Sequence, residues 1–177
     1  MGGMSGGIAI ANYFWPILMP IALSILWSGF YKNKSNFIWG FSFVLASHFW
    51  LVYLHPLTWL GFSSLFSLLV TFIILFSCSF CGGLLVFTWG WLGQKILTKN
   101  YIYSLNTLSL VKKIIFLSFI WAFGELILTQ TPFFWIGISE SLIPGDLYLA
   151  GLARFIGSPG LCIIQLLIGF WIFIIFE

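Results

Sequence analysis

Residues 62–92 read FSSLFSLLVTFIILFSCSFCGGLLVFTWGWL, a run of apolar, aromatic and small residues without a single charge. Crossing a bilayer takes roughly 20 apolar residues in a helix, so this run is long enough to span and to tilt or project past the surface. It lacks the apolar–polar alternation of a barrel strand. A helix satisfies all its backbone groups internally, which is what hydrocarbon requires.

The rest of the chain has the same character. Of its 177 residues 61% are hydrophobic, 21% aromatic and 6% charged, with a mean hydropathy of +1.10. Too little polar surface exists to wrap a water-soluble core. Hydropathy predicts spans near 12–30, 37–54, 62–92, 112–130 and 157–176, giving an all-α, polytopic transmembrane bundle with no soluble domain. Pro16 and Pro20 fall early in the first span, where a proline starts or kinks a helix at little cost. Gly2, Gly3, Gly6 and Gly7 have the small-xxx-small spacing that allows close helix contact, a spacing also common by chance in glycine-rich sequence.

The net charge of +3 raises the question of a nucleic-acid partner, but the seven basic residues are scattered over loops and form no basic stripe. Their placement reads as topology. Lys32 and Lys34 share one connection, Lys95, Lys99, Lys112 and Lys113 another, and the count of spans puts both on one face, expected to be cytoplasmic. The connection 131–156, with Glu140, Asp146 and Arg154, then lies outside, as does His55-Pro56-Leu57-Thr58-Trp59. His55, Trp59, Trp89 and Trp91 are expected as anchors at the headgroup level.

Glu125 stands one turn after Trp121 and about six residues, or roughly 9 Å, from the end of its span. A carboxyl at that depth should face the bundle interior or a wet cavity, either as a polar contact between helices or as a group that handles substrate or protons. Beyond it, Pro132 ends the helix. Phe133, Phe134 and Trp135 then suit either an interfacial belt or a lining for acyl chains, and Leu147 to Phe155 suits a short surface helix. His48 and His55 lack nearby partners for a metal. Cys78-x-x-Cys81 has redox spacing without a thioredoxin-like context, and Cys162 also falls in an apolar run. No phosphate loop, nucleophile elbow or zinc motif occurs, and no cofactor or metal is expected.

The ordered punctuation of these runs carries a resemblance. WGFSFVLASHFWLVYLHPLTWLG, with Trp39-Gly40 and His55 to Trp59, and WAFGELILTQTPFFWIG, with Trp121-x-x-x-Glu125 and Pro132 to Trp135, are similar to the membrane part of bacterial apolipoprotein N-acyltransferases. The similarity runs over most of the chain. It implies eight transmembrane helices around a lipid-accessible cavity and an outer nitrilase-like domain bearing a Glu-Lys-Cys triad. That domain moves an acyl chain from a membrane phospholipid, through a thioester, to a diacylglyceryl-lipoprotein. On this resemblance Gly2 to Ala11 correspond to the tail of the first helix, and the five spans to the second through sixth. None of Cys78, Cys81 or Cys162 matches the catalytic cysteine.

The chain is therefore expected to be a truncated or fragmentary membrane portion of such an enzyme in a bacterial inner membrane, inactive alone, with no catalytic residue of its own. Phe133, Phe134 and Trp135 are its foremost candidates for lining the acyl route, followed by Glu125 and Trp121. The competing expectation is a small non-enzymatic membrane protein, such as a transporter half or an assembly factor, using Glu125 and Glu140 for ion or proton contacts.

Overall fold

A computed structural model of the chain describes residues 1–11, 17–98, 107–132, 137–142 and 151–177. Six α-helices run through them: α1 (Gly2–Ala11), α2 (Leu18–Ser28), α3 (Asn33–Ser47), α4 (Ser64–Ile96), α5 (Thr107–Leu128) and α6 (Ala153–Phe176). Tighter 3-10 turns occupy Phe49–Leu54, Thr58–Leu60 and Ile138–Leu142, and there is no strand among the described residues. The all-α expectation holds. By length and composition, α4 and α6 are long and apolar enough to cross a membrane.

The boundaries differ from those expected, each for a local reason. The apolar run 37–54 is not one helix: α3 stops at Ser47 and the chain tightens into 3-10 geometry. There the Ser47 hydroxyl pairs with Val44 O and with His48 Nδ1 at 2.9 Å, and such side-chain bonds compete with helix propagation. Helix α4 starts two residues later than predicted, where Ser63 caps it by accepting from Phe66 N, and runs on to Ile96. Helix α5 starts at Thr107 rather than 112. Helix α6 is interrupted at Gly157, whose φ of 67° and ψ of −179° are open to glycine, and Pro159 follows in the first turn after the break. Of the first predicted span, 12–16 lie outside the described residues and 18–28 form α2.

Glycines set how closely the helices approach. Gly2 and Gly6 of α1 abut Ile25 and Ala22 of α2, while Gly3 and Gly7 abut the backbone of α3 at Trp39 and Phe43. A Cβ at Gly3 would overlap Trp39 O, so α1 is wedged between two neighbours that tolerate no side chain there. Helices α3 and α4 meet at Gly40 and Gly82.

Tryptophans tie the helices together through their indole N–H groups. Trp39 donates to Ala22 O (3.0 Å), Trp27 to Leu166 O (3.2 Å) and Trp89 to Leu117 O (2.9 Å), linking α3 to α2, α2 to α6 and α4 to α5. The rings of Trp27, Phe30, Trp89, Trp121 and Phe170 pack edge-to-face or tilted with centroids 5.0–5.2 Å apart, a favoured arrangement of aromatic quadrupoles. All five are buried.

Unlike a water-soluble bundle, the outer face is apolar as well as the core. Leu65, Leu69, Phe72, Phe76 and Phe80 of α4 face outward, whereas Ser67, Thr71 and Ser79 of the same helix are buried. The hydroxyls of Thr71 and Ser79 donate to carbonyls one turn back, Ser67 O and Leu75 O, both at 2.8 Å, so these two add no unsatisfied donor to the core.

The two ends differ as well. Gln94, late in α4, donates to Phe30 O (2.8 Å) and Asn33 Oδ1 (2.6 Å), and Lys113 of α5 donates to Ile96 O (3.0 Å). These bonds gather the start of α3, the end of α4 and the early part of α5 at one end of the bundle. At the opposite end lie the start of α4, the end of α5 and the start of α6, together with the 3-10 turn Ile138–Leu142.

Candidate functional site

The only carboxyl side chain buried among the described residues is that of Glu125, 7% exposed near the end of α5. The 3.6-residue period sets it one turn beyond Trp121 on the inner face of the helix. Its Oε1 accepts from Trp121 Nε1 (2.9 Å) within α5 and from the backbone N–H of Ile138 (3.1 Å) across the bundle. The Cys162 thiol of α6 is a further neighbour of the carboxyl. Its other oxygen, Oε2, lies against Gly137, where an added Cβ would collide with it.

The turn Ile138–Leu142 is itself drawn inside. Ile138, Ser139, Ser141 and Leu142 are all buried, and the segment packs on α6 and α1. Gln165, one turn after Cys162, donates from Nε2 to Ser141 Oγ (3.2 Å), and the hydroxyls of Ser139 and Ser158 pair at 3.0 Å. Gln165 Oε1 is buried and accepts no hydrogen bond among the described residues. Glu140 on the same turn is half-buried, and burial pushes its carboxyl above the ordinary glutamate value while the Ser139 hydroxyl partly offsets this.

The site thus joins α5, α6 and the turn through a carboxyl, an amide, a thiol and three hydroxyls. It can hold a backbone N–H and position the connecting segment. Among the described residues there is no group of three or more His, Cys, Asp or Glu side chains placed to hold a metal ion.

The residues singled out in the sequence fall in different places. Glu125 and Trp121 are in this cluster, buried rather than open to a groove. Phe133, Phe134 and Trp135 lie outside the described residues, as do Lys99 and Asp146. Trp89 is a correction: it is not at an interface but 1% exposed in the core, because its indole N–H has a carbonyl partner on α5. Trp91, 44% exposed, is on the surface with the Lys95 ammonium 3.5 Å from its ring centre, and Trp59 is 77% exposed. His55 pairs through Nδ1 with Ser67 Oγ (3.0 Å), which also accepts from Leu57 N (2.7 Å).

Sequence reasoning missed Gly137, Ser141 and Gln165. A signal was available for Gln165, since an amide in an otherwise apolar helix belongs on its inward face. The pairing with Ser141 depends on how the connection folds back, which no local pattern reports.

Comparison with known proteins gives a family. The chain is 57% identical over 177 residues, its whole length, to an apolipoprotein N-acyltransferase of Prochlorococcus marinus subsp. pastoris, of which it covers 36%. A relative of the same name from a second Prochlorococcus marinus strain is 40% identical over 176 residues, 97% of this chain and 34% of the relative. One from Parasynechococcus marenigrum is 37% identical over 169 residues, 96% of this chain and 35% of the relative. The chain therefore spans about a third of the length of the curated relatives it matches. No family model and no solved structure matches it. With its full length aligned to proteins of one name, the chain belongs to the apolipoprotein N-acyltransferase family.

Proposed function

We propose that the chain forms the membrane-embedded, N-terminal portion of an apolipoprotein N-acyltransferase, seating a separate catalytic domain and bordering the route by which acyl chains reach it. The observation that carries this reading is the 57% identity maintained over the whole chain with a relative of that name. The apolar exterior supports a lipid surround: it needs no partner in hydrocarbon, while the buried Ser, Thr, Gln and Glu find carbonyls, hydroxyls and N–H groups inside the bundle. In this reading the helices cross the inner membrane in several passes, with the lysine-bearing end cytoplasmic and the Glu125 end outward. Membrane phospholipid and a diacylglyceryl-lipoprotein are the substrates of the assembled enzyme. In this reading acyl transfer, which needs an activated thiol with a base and an oxyanion-stabilising donor, belongs to the separate catalytic domain rather than to this chain.

The test is a chimera. This chain replaces the matching third of the Prochlorococcus relative, and the lipoprotein N-terminus is read by mass spectrometry in a host depleted of its own enzyme. N-acylation by the chimera and none by the chain alone is the expected result. A chimera that reaches the membrane at normal levels yet acylates nothing would remove the reading, as would acylation by the chain alone.

A further inference from the structure

We infer that residues Gly137–Leu142 form a strap closed over a polar niche in the bundle, and that Glu125 is its clasp. The inference goes beyond the acyl-transfer reading and does not depend on it. Three side-chain ties hold the strap, and each comes from a different position on it. Glu125 Oε1 takes the Ile138 N–H, Gln165 Nε2 donates to the Ser141 hydroxyl, and Ser158 pairs with Ser139.

Of these, the Glu125 tie is the one the sequence has shaped on both sides. Trp121 fixes the carboxyl from its own helix at 2.9 Å, and Gly137 leaves the space that Oε2 occupies. A bond from backbone N–H to carboxylate oxygen is also stronger than a hydroxyl pair when the acid is charged, and it persists through the carbonyl oxygen when the acid is neutral. The titratable groups facing this point are Glu125, Glu140 and Cys162.

The Cys162 thiol, a neighbour of Glu125, and Gln165, bonded to Ser141 of the strap, are each 1% exposed. Gln165 Oε1 accepts nothing among the described residues, so the closed state leaves one buried acceptor unsatisfied. Lifting the strap lets a donor reach that oxygen, which lowers the cost of local opening relative to unfolding the helices. On this inference the segment opens by itself when its clasp is lost, uncovering a thiol, an amide and a carboxyl.

The test uses the full chain in membranes, in a background with Cys78→Ala and Cys81→Ser so that N-ethylmaleimide reports Cys162 alone. Hydrogen exchange at 137–142 is the second readout. Glu125→Ala removes the clasp, and Gly137→Ala leaves the carboxyl in place but puts a methyl group into its space. Both are expected to raise Cys162 alkylation and strap exchange on the order of tenfold while exchange in α3 and α4 stays unchanged. Glu125→Gln, which keeps an acceptor oxygen, stays close to the parent. Unchanged protection of Cys162 and the strap in both alanine variants would overturn the inference. So would uniform loss of protection through all helices in both, which would make Glu125 a determinant of the whole fold. Neither readout requires acyl transfer, so a failed clasp and a failed functional reading are told apart.

Discussion

Gly40 of α3 and Gly82 of α4 touch backbone to backbone, so that a Cβ on Gly40 would overlap the carbonyl oxygen of Gly82. Val44 and Val86 fill the space on either side, each packed on the glycine of the opposite helix. Helix pairs without a hydrophobic driving force between them rely on such close approach. Gly40→Ala or Gly82→Ala is therefore expected to destabilise the protein by about 1–3 kcal/mol through overpacking. Thermal unfolding in detergent checks this, and an unchanged midpoint in both variants would contradict the seam.

Trp89 and Trp91 differ by two positions and by environment. Trp89→Phe keeps most of the ring's packing but loses the bond to Leu117 O, for an expected cost of about 0.5–1.5 kcal/mol. Trp91→Phe, on the surface, is expected to stay within about 0.5 kcal/mol of the parent. Denaturant titration of the two variants side by side measures the difference. Equal effects would argue that Trp89 is not tied to α5.

Gln94 joins the end of α4 to the turn before α3. Gln94→Leu removes donors to Phe30 O and Asn33 Oδ1, while Asn36 Nδ2 still reaches Phe30 O at 2.9 Å. Because that carbonyl keeps a partner, the expected loss is modest, about 1 kcal/mol. Loss of Asn36 as well should cost more than the sum of the single changes, and a double-mutant cycle reads the coupling.

Glu140 gives the protein a pH dependence of definite sign. Its folded carboxyl lies above the ordinary value of 4.5, so the folded state holds the proton more tightly than the unfolded chain. The contribution to stability is fully present below 4.5 and is lost as pH rises through the folded value. Stability in detergent is expected to fall over that interval, and Glu140→Gln is expected to flatten the fall. A Glu140→Gln profile parallel to the parent's would assign the dependence to another group.

How much of this was legible in the sequence depends on the range of the forces involved. Helical character follows from long apolar runs, but hydropathy draws the last boundary at 157, whereas α6 starts at Ala153 and carries Gly157 as a break inside it. The end of α3 was not legible, since Ser47 and His48 stop a helix there only through their own side-chain geometry inside an unbroken apolar run. For the site, Glu125 and Trp121 were readable as an inward-facing pair one turn apart. Their meeting with Ile138 and Cys162 was not, because it depends on contacts 13 or more residues away that only the folded chain creates. Trp89 was misplaced for a related reason: a tryptophan near a helix end reads as amphipathic until its carbonyl partner is known.

The crowding of Trp27, Trp39, Trp89 and Trp121, neighbours at centroid separations of 5.0–6.1 Å, has an optical consequence. Excitation absorbed by one indole passes readily to the next, and their transitions mix to give a strong near-ultraviolet circular dichroism signature. Because these rings belong to α2, α3, α4 and α5, any slip between those helices changes that signal. The protein carries its own reporter of assembly, readable without a dye or a tag.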